Sequence, residues 1–433
     1  MNNRFQEKLI RMGTAVGQNI YLSAIKEAFL KMIPFTLIGA IAVLWTNVIV
    51  NDSTGLGTVW PGIMALKFLN PMFDTINLVT SGSISLIVAF FVGTEISKSK
   101  DCGADSIFCG ALGVAAAFSV ATLTKTFGDQ SVQGYFSDYL GSSGLFSGAL
   151  ISLLAVTLFC ELYKVKKLQI VLPDAVPPNV SSSFRYLIPA FLDLLIITGV
   201  NLILYDTTGY NGADLIGELI QKPFLKVGGS FGGMMLLQFV IVALWSIGMH
   251  GDGMLAGIVN PITEALTLSD MDALKAGKAA TNIWTTGFDR AFFKCGGCGM
   301  VIGLTLAFLI FGKREENRAV AKMAIVPNLF NIGEVAMFGY PVVLNPILMI
   351  PFIIAPLASG ALGYLLTVIG FCPVFAYEVP WTMPPVLISF IATGGSIRAV
   401  ISQILCIALT VVIYAPFVKM YEKSQAQEES EHD

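Results

Sequence analysis

The feature that most limits what this chain can fold into is a series of apolar runs, each roughly the 17–25 residues a helix needs to cross a bilayer. They lie near 32–50, 76–97, 106–123, 143–163 and 185–205, then near 231–249, 296–311, 347–370 and 398–417. Only 13% of the 433 residues are charged, against about a quarter in soluble domains. So few charges cannot cover a soluble surface of this size, and lipid must be the solvent for much of it. Backbone polar groups in lipid need partners inside the chain, so an all-α integral membrane fold is expected. A net charge of −3 gives no reason to expect a nucleic-acid partner. The 7 cysteines are odd in number and sit mostly inside apolar segments, as small hydrophobes rather than a disulfide framework.

Three more apolar pieces, 251–268, 325–345 and 379–395, are interrupted by Gly, Pro and Asn. Irregular backbone at membrane depth is tolerated where it is buried in protein or lines a watery cavity. The first is therefore read as a broken span, and the other two as re-entrant hairpins. All three fall in the second half. The first half has continuous runs and small-residue faces such as Gly110, Gly113 and Ala117, suited to helix–helix packing.

Basic residues set the orientation. Arg4, Lys8, Arg11, Lys26 and Lys31 belong to an amphipathic start with no cleavable signal pattern. These residues, Lys98, Lys100, Lys164, Lys166, Lys167, Arg185, the Lys313–Lys322 cluster, Lys419 and Lys423 should all be cytoplasmic. Parity then requires a crossing between His250 and Cys295, for which 251–268 is available. The expectation is about ten spans, both termini inside, with Lys275, Lys278, Arg290 and Lys294 facing outward. The expected divisions are a cytoplasmic start (1–31), a first membrane domain (32–205), a connector (206–230), a second membrane domain (231–417) and a cytoplasmic tail (418–433).

Three stretches carry candidate chemistry. In Asn331–Pro346, Glu334 is a carboxylate among apolar residues, costly unless it meets a cation or a hydroxyl. Its structural alternative is a partner that holds the hairpin together. In Gly248–Gly253, His250 follows an apolar helix and precedes a glycine break. A lone histidine is more often a satisfied core residue, but its membrane placement favours a site. Asp252 is read as the N-cap of the next helix. In Val379–Ala399, Trp381 is either an interfacial anchor or a face for sugar C–H groups. Trp245 and Trp284 share that ambiguity, and Trp45 and Trp60 are assigned to the interface. Asn260, Asn328 and Asn331 are the nearby amides, expected as further contacts for the hydroxyls of a bound sugar. Glu95, Glu161, Asp193 and Glu264 read as carboxylates mostly at helix ends with snorkelling partners. Cys295-Gly-Gly-Cys298 lacks the second pair a zinc site needs, and neither a metal nor a cofactor is expected. No Walker A loop is present, so ATP is not used directly.

At these residues the chain resembles the membrane (IIC) component of the phosphoenolpyruvate-dependent sugar phosphotransferase system, in its lactose–cellobiose–diacetylchitobiose family. The Glu334 segment and Pro380-Trp381-Thr382-Met383-Pro384-Pro385 carry the resemblance. It departs at Gly333-Glu334-Val335, where members commonly read Asn-Glu-Pro, and at Ser396-Ile397-Arg398, where they often read Asp-Trp-Arg. The resemblance implies a homodimer formed through the first half in a bacterial plasma membrane. It also implies a β-linked disaccharide, diacetylchitobiose or cellobiose, held in the second half by Glu334 and His250. Its C6 hydroxyl would be phosphorylated by a separate cytoplasmic IIB phosphocysteine protein, with IIA upstream; Glu334 is the candidate catalytic residue. Two other classes stand beside this: a proton-coupled secondary sugar transporter, and a membrane-embedded acyl- or glycosyltransferase.

Overall fold

The computed structural model describes residues 18–51, 56–121, 124–127, 130–134, 137–173 and 175–432. Arg4, Lys8, Arg11 and the rest of the amphipathic start through residue 17 lie outside the described residues. The chain forms two compact units, one of residues 18–42 and 71–226 and the other chiefly of 43–70 and 227–433. Residues 43–70 thus group with the second unit, whereas the sequence reading placed them in the first.

The first unit is built from α1 (Ile20–Leu44), α2 (Asn70–Val79), α3 (Ile84–Ser99), α4 (Ser106–Ser119), α5 (Leu145–Lys164) and α6 (Pro178–Thr208). α1 starts where the Asn19 side chain accepts the Tyr21 and Leu22 amides, so residues 20–31 of the expected cytoplasmic start form one continuous helix with the apolar run that follows. The Asp105 carboxylate caps α4 by accepting from Ile107 and Phe108. α3, α4 and α5 meet through small residues. A Cβ on Gly110 would stand 2.8 Å from the Phe90 carbonyl, and one on Gly113 2.1 Å from Ser152 Oγ. Ser152 Oγ donates to the Ala89 carbonyl at 2.6 Å. Ala116, rather than Ala117, completes the buried face. Charges stay at the ends: Glu95 pairs with Lys31 and Lys98, and Glu161 with Lys100 and Lys164. Asp193, by contrast, is fully buried on α6. After α4 a short antiparallel hairpin pairs β1 (Thr124–Phe127) with β2 (Gln130–Gln133), a small exception to an all-helical fold.

The expected connector is helical. α6 ends at the left-handed Gly209, and helical turns run from Gly212 to Gly228.

The second unit contains α7 (Phe231–Ser246), α8 (Gly251–Lys275), α9 (Thr286–Phe292), α10 (Val301–Phe311), α11 (Glu315–Leu329), α12 (Glu334–Gly339), α13 (Pro346–Val368), α14 (Leu387–Ala392) and α15 (Ile397–His432). α15 runs on without a break through the expected tail. There Glu422 accepts the Lys313 and Arg314 amides and so caps the start of α11. α10 and α13 both pack on α15, and Tyr414 donates to the Gly299 carbonyl at 2.6 Å.

Among the described residues, six helical stretches are long and apolar enough to span, or seven if Gly212–Gly228 and Phe231–Ser246 form one bent span. The sequence count of about ten includes three segments that are not among these. Run 106–123 makes a helix of 14 residues and 296–311 one of 11, both short of a bilayer. Segment 251–268 is not broken at all. It forms a continuous 25-residue helix that tolerates Pro261 but is more polar than the six. Irregular backbone does occur in the other two pieces: residues 330–333 and 340–345 flank α12, and turns precede α14.

Candidate functional site

α7 ends at Ser246, and Gly248, with φ of 87°, reverses the chain. His250 then starts α8 as its N-cap, its Nδ1 accepting the Gly253 N–H at 2.8 Å. A ring nitrogen that accepts an N–H carries no proton, so the neutral imidazole is protonated at Nε2. His250 is exposed. It therefore offers an outward donor. A Cβ at Gly253 would sit 2.9 Å from Nδ1, which explains the glycine. The Trp245 ring lies 4.3 Å from the imidazole, and its Nε1 donates to Asp252 Oδ2 at 2.9 Å. The capping role expected of Asp252 thus falls to His250, because Lys294 claims the Asp252 carboxylate at 2.9 Å.

Glu334 opens α12 and is exposed. A helix start suits a carboxylate. Among the described residues, none makes a hydrogen bond or ion pair to it. The turn before it is held from two sides. Asn331, at φ of 60°, accepts the Gly296 N–H at 2.8 Å and donates to the carbonyls of Trp381, at 2.6 Å, and Met383, at 3.1 Å. Asn328 is fully buried; it donates to the Gly296 and Ile332 carbonyls and accepts from Thr305. Both asparagines, read from sequence as sugar contacts, serve here as staples. The glycine loop approaches so closely that a Cβ on Gly297 would fall 2.5 Å from Gly333 Cα. At the far end of α12, the Leu344 N–H donates to the Ser246 carbonyl at 2.9 Å. The His250 turn, the Glu334 hairpin and the Trp381 loop are therefore bonded into one assembly.

Of the remaining candidates, Trp381 is 52% exposed and free to present its ring. Asn260 is half-buried further along α8. Trp284 is fully buried and donates to Asp289 Oδ1 at 3.0 Å, which makes it core rather than a sugar face.

Sequence reasoning missed the charged groups behind this surface. Lys294 bridges Asp252 and Asp289 (2.9 and 2.7 Å), and Gln238 also donates to Asp289. Arg290 pairs with Glu378 at 2.5 Å and donates to the Val379 carbonyl, while Thr286 donates to Glu378. Glu264 is buried nearby on α8. Arg290 and Lys294 are therefore internal partners and not the outward-facing charges expected. The signal was present: in so charge-poor a chain, three charges within 289–294 need partners more than they need water.

Residues 26–356 match the family described as phosphotransferase system, EIIC. The chain belongs to that family. The putative permease IIC component YwbA of Bacillus subtilis is 31% identical over 98% of this chain and 96% of its own length. The lichenan permease IIC component of the same organism is 28% identical over 100% of this chain and 96% of the relative. Among solved structures, the transporter ChbC, IIC component of the N,N'-diacetylchitobiose-specific phosphotransferase system, superposes with a TM-score of 0.90. It is 27% identical and covers 98% of this chain and 99% of its own. This IIC is thus a multi-pass sugar permease component of the bacterial phosphotransferase system, on its lactose–cellobiose–diacetylchitobiose branch, and works with IIB and IIA components.

Proposed function

We propose that this IIC carries a β-linked disaccharide, cellobiose or diacetylchitobiose, and presents its C6 hydroxyl to a phosphocysteine on a separate cytoplasmic IIB. One observation carries the reading. His250 and Glu334 are exposed on segments bonded to each other, with a donor of fixed tautomer on one and an unengaged carboxylate on the other. Three of the acids behind them are tied up: Asp252 and Asp289 by Lys294, and Glu378 by Arg290. Similarity to the lichenan permease and to the diacetylchitobiose transporter ChbC supports a β-linked glucosyl or N-acetylglucosyl substrate.

The two groups divide the chemistry. His250 Nε2–H donates to a sugar oxygen and, as this tautomer, has no lone pair there to take a proton. Glu334 accepts the C6 hydroxyl proton while O6 attacks phosphorus. The O6–P bond forms, the P–S bond breaks, and the thiolate leaves on IIB. Such transfer depends mainly on positioning and charge stabilisation, with a general base adding about 10²–10⁴-fold. Trp381 covers an apolar face of the sugar, and Asn260 is a second contact. The first unit forms the homodimer: α6 exposes Phe191, Leu195, Leu202 and Ile203, a face that needs lipid or a second copy. The chain crosses about ten times with both termini cytoplasmic, short helices and hairpins completing the crossings. Access alternates as the second unit moves against the dimer.

The test is accumulation of the sugar in vesicles. Sugar phosphorylated only when IIB and its donor are supplied is the expected result; free sugar driven by a proton gradient would refute the reading.

A further inference from the structure

We infer that Lys294 is a positioning residue for His250: through Asp252 and Trp245 it fixes the imidazole's tautomer and its place beside the Glu334 hairpin.

Lys294 stands where two sets of contacts meet. Its ammonium lies 2.7 Å from Asp289 Oδ2 and 2.9 Å from Asp252 Oδ1. Asp289 is the anchored side, since its Oδ1 accepts from both Gln238 and Trp284. Asp252 is the site side, since its Oδ2 accepts Trp245 Nε1–H and the Trp245 ring rests on His250. A line of side chains therefore runs from the core of the second unit to an exposed imidazole, with Lys294 as its one cation. The backbone at Lys294 also opens the loop whose Gly296 holds Asn331 and Asn328, the two staples of the Glu334 turn.

The physics of removal is specific. Without the ammonium, two half-buried or buried carboxylates face each other with no charge between them. Asp252 sits in the first turn of α8, where a free carboxylate is drawn to the exposed amides of the helix start. The Gly253 N–H is one of these amides, and His250 Nδ1 holds it now. A released Asp252 competes for that N–H, Trp245 loses its acceptor, and the imidazole becomes free to take either tautomer.

The chain has 2 histidines, so ¹⁵N-histidine labelling gives one ring signal set for His250 and one for His432, assigned with His250→Ala. In the purified full-length protein, wild type and Lys294→Arg should show His250 as a single Nε2–H tautomer. Lys294→Met should show tautomer averaging. Should Lys294→Met lower the protein's recovery, Asp252→Ala breaks the line at the other end of the ion pair by removing the acceptor that holds Trp245 on the imidazole. A folded Lys294→Met or Asp252→Ala protein with the wild-type His250 signals would overturn the inference. This readout needs no sugar, so it is independent of the proposed function. A second readout rests on that function and uses whichever of cellobiose and diacetylchitobiose binds the wild type. Lys294→Met should weaken binding about tenfold in the wild-type background and less than about twofold in His250→Ala, as expected of residues acting through one another. An undiminished penalty in His250→Ala would show Lys294 to be a general structural residue. If His250→Ala itself binds sugar normally, the sugar-site reading fails and the tautomer result alone decides the role of Lys294.

Discussion

The two units solve the membrane problem in opposite ways. In the first, continuous helices approach closely through Gly110, Gly113 and Ser152, and ion pairs sit at helix ends where water reaches them. In the second, ion pairs are drawn inside, and the chain turns through left-handed residues at Met300, Asn331, Leu344 and Val386. Such backbone costs about 1–3 kcal/mol per residue and persists only where surrounding contacts impose it. Here Asn331 is imposed by bonds to Gly296, Trp381 and Met383, and Val386 by Gln403, which accepts its N–H at 2.7 Å. One unit is thus built to hold its shape in lipid, whereas the other gives up regular backbone to gather polar groups at one place.

The sharpest way to break that contrast is at Glu334. Glu334→Gln should cut phosphorylation of bound sugar by about 10²–10⁴-fold, the range of a general base, while isothermal titration still detects sugar. Loss of binding with little change in the rate at saturation would make the carboxylate an acceptor only. Next in size is Arg290→Met, which leaves Glu378 buried without its cation. Removing one partner of a buried pair costs about 3–5 kcal/mol, so the detergent-solubilised protein should melt markedly lower; an unchanged melting temperature would mean the pair is hydrated. In the first unit, Gly113→Leu would drive a side chain into Ser152. Overpacking there should cost about 1–3 kcal/mol and leave the affinity of the folded fraction for sugar intact. A changed affinity would show that the sugar site depends on this helix packing. The smallest effect belongs to Leu202→Ile on the exposed face of α6. Stability should stay within about 0.5 kcal/mol, and a larger loss would point to a packed partner on that face.

The class of the molecule was legible in the chain itself, and so was the turn that carries His250 and the irregular backbone around Glu334. Long apolar runs and scarce charge admit few solvents other than lipid, and a carboxylate and an imidazole among glycines and prolines mark where regular backbone gives way. Local composition did not reveal which run completes a span. Residues 106–119 stop short because a β-hairpin follows, and 251–275 stays helical through its glycines because His250 caps it and the core accepts Pro261. Nor could it separate contacts from staples. Asn328 and Asn331 look alike in sequence, but one is sealed in the core and both spend their amides on neighbouring loops. The pairing of Lys294 with Asp252 and Asp289, and of Arg290 with Glu378, was decided by tertiary structure alone. A buried charge takes whichever opposite charge the fold brings within reach, and the two partners here lie up to 88 positions apart in the chain.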